Sequence, residues 1–154
     1  MRGVFRLVDT LTAVTTAKQL LYLAAPSGAV VEILSARVTA QDDDTSEQIM
    51  VELNRATGTV GGGDALTSKP TEEGSAAYGG SAKGGNTAIT GMTPDGESDA
   101  IASGGANKLA GWEYVPLPEE RATLAPDDQL VLRTVDDISA ATDLTCEITF
   151  REIG

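Results

Sequence analysis

The chain holds one thiol, no imidazole and a surplus of carboxylates, so any chemistry must come from acids, hydroxyls or aromatic faces. Cys146 is the single cysteine and histidine is absent, which removes an intrachain disulfide and any Cys-His or Ser-His-Asp arrangement. Cys146 falls in period with Leu144, Ile148 and Phe150, so a packed thiol is expected rather than a nucleophile. Carboxylates stand in adjacent sets: Asp42 to Asp44, Glu72-Glu73, Glu119-Glu120, Asp127-Asp128 and Asp136-Asp137. A carboxylate pair hydrolyses a glycosidic bond only when its members face each other across a cleft. Neighbours along a strand or turn point different ways, so these sets read as solvated loop charges. Thr93-Pro94-Asp95-Gly96-Glu97-Ser98-Asp99 has alternating oxygens around a glycine, as a calcium loop does. It lacks the full loop spacing and the terminal bidentate glutamate. Gly58-Thr59-Val60-Gly61-Gly62-Gly63 has neither the Lys-Ser/Thr ending of a P-loop nor a βαβ setting. Trp112 and Tyr114 share one strand face by parity. They read either as a sugar-stacking platform or as large packing residues of a core or subunit contact. No catalytic residue, cofactor or metal ligand is predicted, and the chain is read as not an enzyme.

The elements that position these residues are strands. Leu144, Cys146, Ile148 and Phe150 alternate with Thr145, Glu147, Thr149 and Arg151, the period of a strand with one face in a core. Gln129 to Val135 forms a strand before it, introduced by the turn Ala125-Pro126-Asp127-Asp128, and the two are expected to make a closing hairpin. Further strands are predicted over Lys18 to Ala24, over Val30 to Ala40 with a bulge near Ser35, and over Ile49 to Asn54. A helix over Glu47 to Ala56 is the weaker alternative. Trp112 to Val115 is a strand stopped by Pro116 and Pro118. Residues 1–12 read as an N-terminal arm or an edge strand. Residues 57–111 are rich in glycine and sparse in large apolar side chains. They are read as a mixture of short strands, near Thr87 to Gly91 and Asp99 to Ala102, with loop that orders on neighbouring chains. The fold expected is all-β: an antiparallel β-sandwich, jelly-roll or Greek-key-like, as a single domain over 13–154 with a long Gly-rich loop region.

With 154 residues, 11 Lys+Arg against 23 Asp+Glu and a net charge of −12, the chain fits one core and repels phosphate backbones, so no nucleic-acid partner is expected. No stretch reaches the ~20 apolar residues of a membrane span, and the amino terminus lacks a signal-peptide core. Synthesis in the cytoplasm without membrane association is the expectation.

Several segments together resemble a family of small tailed-bacteriophage virion proteins. They are TTAKQLLYLAAPSGAVVEILSARVTAQ, QIMVELNRATGT, and WEYVPLPEERATLAPDDQLVLRTV with LTCEITFRE. The resemblance covers roughly residues 12–56 and 110–152. It implies a structural role, decorating or cementing a capsid from its outer surface, and no catalytic residues. The partners implied are the major capsid protein and copies of the chain itself, as a trimer at capsid symmetry positions. Candidate contact residues are Arg2, Phe5 and Arg6 in the N-terminal arm, Leu66, Tyr78, Ile89 and Met92 in the Gly-rich middle, and Trp112 and Tyr114. The alternative is a glycan-binding jelly roll of a tail or host-recognition structure.

Overall fold

The computed structural model describes residues 3–41 and 46–154, apart from the side chain of Glu97; Arg2 and the acidic turn at Asp42 to Asp44 lie outside the described residues. Two antiparallel sheets pack against each other. The first comprises β1 (Gly3–Val14), β3 (Val30–Gln41), β5 (Lys69–Pro70), β8 (Trp112–Tyr114), β9 (Thr123–Leu124) and β11 (Thr142–Ile153). Its order is β5-β1-β11-β3-β8, with β9 also on β3. The second comprises β2 (Gln19–Ala24), β4 (Gln48–Leu66), β6 (Ser81–Pro94), β7 (Ala102–Asn107) and β10 (Gln129–Thr134), in the order β10-β2-β6-β4-β7. Among the described residues the helical turns are short 3-10 pieces at Glu97–Asp99 and Pro118–Glu120. The chain is an all-β sandwich.

Period-two patterning explains the main core. Along β11, Leu144, Cys146, Ile148 and Phe150 are buried while the residues between them are partly exposed. Phe5, Leu7 and Leu11 on β1 and Val31, Ile33, Ala36 and Val38 on β3 join them from either side. Ile49, Val51 and Leu53 of β4, Leu130 and Leu132 of β10, and Leu21 and Leu23 of β2 supply the facing layer. The alternation over 49–54 is therefore strand, not helix. The expected bulge is present: Thr149 sits opposite Ser35 but Phe150 opposite Ile33, which leaves Leu34 as the extra residue.

Three expectations change. Of the two readings of residues 1–12, the strand and not the arm describes 3–11: they run antiparallel to β11 from Gly3 opposite Glu152 to Leu11 opposite Leu144, with only the two-residue β5 beyond. Strands β10 and β11 make no hairpin. Both edges of β11 are taken by β1 and β3, so β10 crosses to the other sheet and pairs with β2 and β4. The Gly-rich middle is mainly strand, in β4 to Leu66, in β6 and in β7, while 99–101 is turn rather than strand.

The β4–β6 ribbon also closes the second sheet on itself. β10 pairs with β2, β2 with β6, β6 with β4, and β4 again with β10. The ribbon must bend to do this, and its register shifts between Gly58 and Gly61 and again between Gly62 and Asp64. Gly58, Gly62, Gly63 and Gly91 all have positive φ there. A Cβ on Gly91 would overlap the carbonyl oxygen of Thr59, and one on Gly62 that of Ala88. Only glycine meets both demands. Tyr22, Ala56, Ile89 and Val131, all on strands of this closed ring, are buried but stand outside the main cluster. Replacement of Gly91 by Ala is expected to cost more than about 1 kcal/mol. Urea unfolding checks the cost, and hydrogen exchange should show amides of 57–66 and 81–94 losing protection while those of β11 keep theirs.

Candidate contact surface

The predicted contact residues separate into packed and exposed groups. Phe5 is fully buried, where its ring lies 5.7 Å from Phe150 and 5.5 Å from Tyr78. Tyr78 is half-buried and donates its hydroxyl to Ala24 O at 2.6 Å, tying the 71–80 loop to β2. Burial, with Glu152 nearby, pushes its phenol up. Ile89 is buried within the ring, against the position where Gly63 carries no side chain. Leu66, Trp112 and Tyr114 pack in part against the main cluster, and Met92 is half-buried on the ribbon. Phe5 and Ile89 are therefore core residues, not contacts. Arg6 is exposed on the outer face of the first sheet, where it shares Glu147 with Arg37.

The groups with chemical potential are structural in their placement. Cys146 is buried, and desolvation, helped by Asp9, pushes its thiol well above the ordinary range. The described acid pairs are exposed at turns, where Asp137 accepts from Ala17 N and Asp128 from Ala125 N. The 93–99 stretch ends β6: Asp95 N donates to Arg55 O, and Asp95 O accepts from Asn54 Nδ2. Among the described residues no group of His, Cys, Asp or Glu is spaced to hold a metal ion. Trp112 does share a face with Tyr114, but that face turns inward: its indole Nε1 lies 3.1 Å from where Gly104 would carry a Cβ. Hollows flank Thr67, one of about 170 Å³ beside Tyr78 and Ala82 and one of about 400 Å³ between Arg6, Val8 and Lys69.

Sequence reasoning missed the edge where β7 and β8 end the two sheets. Leu109 is 66% exposed, Val115 66% and Leu117 58%, all within one short stretch. Met50 is also exposed, on β4 opposite Gly105. Pro116 and Pro118 keep Val115 and Leu117 out of a ladder, and the tight turn at 107–111 does the same for Leu109. The signal was in the sequence: an isolated leucine after a run of small residues, and apolar residues interleaved with prolines.

An ion pair between a buried lysine and a partly exposed glutamate anchors the same corner. The Lys108 side chain is fully buried and its Nζ lies 2.9 Å from Glu47 Oε2. Ser139 donates to Glu47 from both its backbone N and its hydroxyl, each at 2.8 Å. The amide of Ser139, then Lys108 and the Ser139 hydroxyl, hold the Glu47 carboxyl down to about 2. The β7–β8 turn, the start of β4 and the β10–β11 connection thus meet at one carboxylate. No protein-family model, curated protein or solved structure matches the chain.

Because the folded value of Glu47 lies below its ordinary 4.5, its contribution is whole above about pH 4.5 and is lost as the pH falls toward 2. Urea midpoints measured from pH 5 to pH 2 should therefore decline. In Glu47→Gln the decline should be shallower, starting from a lower midpoint at pH 5.

Proposed function

We propose that the chain is a non-enzymatic virion structural protein that decorates or cements a bacteriophage capsid from its outer surface. Its contacts are with the major capsid protein and with copies of itself. The observation that carries this reading is the exposure of Leu109, Val115 and Leu117, the three most exposed large apolar side chains among the described residues, all flanking the edge strand β8. Single apolar residues on a surface carry no message, whereas several beside one sheet edge favour a protein contact. The sequence resemblance supplies the setting. The acidic balance keeps such a protein off packaged nucleic acid and soluble before assembly.

Burying a Leu or Val side chain completely yields about 1.5–3 kcal/mol, so a patch this small gives a modest single contact. Repetition over a symmetric lattice raises its effect without enlarging it. The inward face of Trp112 and Tyr114 leaves the glycan-binding alternative without a free aromatic platform.

Co-sedimentation with empty capsids tests the reading. Wild type should pellet with capsids, and the double substitution Leu109→Glu with Leu117→Glu should weaken binding at least about tenfold. Circular dichroism should show the double variant folded. Wild type left in the supernatant would reject capsid decoration. A glycan array bound by wild type but not by Trp112→Ala would favour the alternative.

A further inference from the structure

We infer that β7 is a strand-pairing edge, and that its occupant is β7 of a second copy, related by a two-fold axis through Gly104. The inference rests on the self-association half of the proposed function and is independent of the capsid half.

Hydrogen-bond parity identifies the open groups. On the β10 side of β4, Val135 N donates to Met50 O, so the even-numbered residues of β4 bond to β10. On the other side Asp95 N donates to Arg55 O and Lys108 N to Glu47 O, so the odd-numbered residues bond toward β6 and β7. The register then makes Ala106 with Ile49, Gly104 with Val51 and Ala102 with Leu53 the hydrogen-bonded pairs. The N–H and C=O of Ser103 and Gly105 point away from β4. Among the described residues, the only pairing beyond β4 is at the end of the strand, where Asn107 bridges Gly111.

This edge differs from the others. β5 is a two-residue strand made of a lysine and a proline. β8 carries the exposed Glu113 and is soon followed by Pro116. Charge and proline are the usual guards against edge-to-edge pairing. β7 reads Ala-Ser-Gly-Gly-Ala-Asn and has neither.

The same parity selects the register of the pair. With the axis at Gly104, Ser103 stands opposite Gly105 of the second copy in a hydrogen-bonded position, and each exchanges N–H and C=O with the other. Gly104 faces its own equivalent at the non-bonded position, where side chains come closest and here there are none. The residues of β7 fit a second copy: about Gly104 the run Ala102-Ser103-Gly104-Gly105-Ala106 sets small side chains opposite small side chains, and the strand carries no charge that would add to the repulsion between two bodies of −12. Exposed Met50, opposite Gly105 on β4, lies one strand back from the seam in each copy. The result is a continuous sheet across both copies, an isologous arrangement in place of the trimer the resemblance implies.

Sedimentation equilibrium and amide exchange read by NMR test this. Wild type should be a dimer that tightens as salt screens the acidic bodies. Ser103→Lys puts like charges near the axis and should weaken the dimer at least tenfold, while Ser103→Ala should leave it intact because the bonds are main-chain. Ser103 and Gly105 amides should be protected in wild type and fast in Ser103→Lys, with Gly104 and Ala106 protected in both. A monomer, a trimer, or a dimer unaffected by Ser103→Lys would overturn the inference. A monomer that still pellets with capsids would reject the pairing alone, and a β7 dimer that does not pellet would reject the capsid role alone.

Discussion

The structure depends on one close approach of backbone to backbone. Where β4 passes β6, carbonyl oxygens of Gly91, Ala88 and Thr59 occupy the space that side chains on Gly58, Gly62 and Gly91 would need. The same residues have positive φ, so the crowding and the bend have a common solution in glycine. Without the bend the ribbon would project into solvent and Ile89 would lose its burial. With it, the ribbon tip reaches β2, the second sheet closes, and Tyr22 and Val131 acquire cover on a face that would otherwise be wet. A closed ring also has fewer free edges, which is why the remaining edge at β7 matters.

Charge is distributed by a second constraint. On the outer face of the first sheet Arg6 and Arg37 share Glu147, and Arg121 and Arg151 share Glu32. In the second sheet Arg133 grips the buried Glu52 through two nitrogens, at 2.9 and 2.7 Å, and Asn54 donates to the same carboxylate oxygen. The exposed pairs of Arg6 and Arg37 on the first sheet add little stability each. Their effect is to place cations among sheet carboxylates and leave the surplus acids at turns such as 72–73, 119–120 and 136–137.

Where a residue's fate follows from its immediate neighbours, it could be read beforehand. The inward line Leu144, Cys146, Ile148 and Phe150, the shared face of Trp112 and Tyr114, and the bulge by Ser35 all depend on local alternation. Sheet membership does not. Two consecutive amphipathic strands look the same whether they pair with each other or face each other across a core, so β10 and β11 read as a hairpin. Phe5 reads as a contact because residues 1–12 could form an arm, and Ile89 because few apolar residues surround it in sequence. Their neighbours in space, Phe150 and Tyr78 for one and Gly63 for the other, come from distant strands. Glycine misled most. In β4 and β6 it marks main chains passing too close for side chains, a meaning that needs both strands in view.

The lone thiol carries a practical consequence. Cys146 is wholly buried at the centre of the first sheet, on the strand that β1 and β3 flank. A thiol reagent reaches it only when the packing around it opens, because the residue has no exposed surface. Its alkylation in native buffer is therefore slow and counts openings of the molecule one at a time, so the residue serves as an internal clock for unfolding without any introduced label.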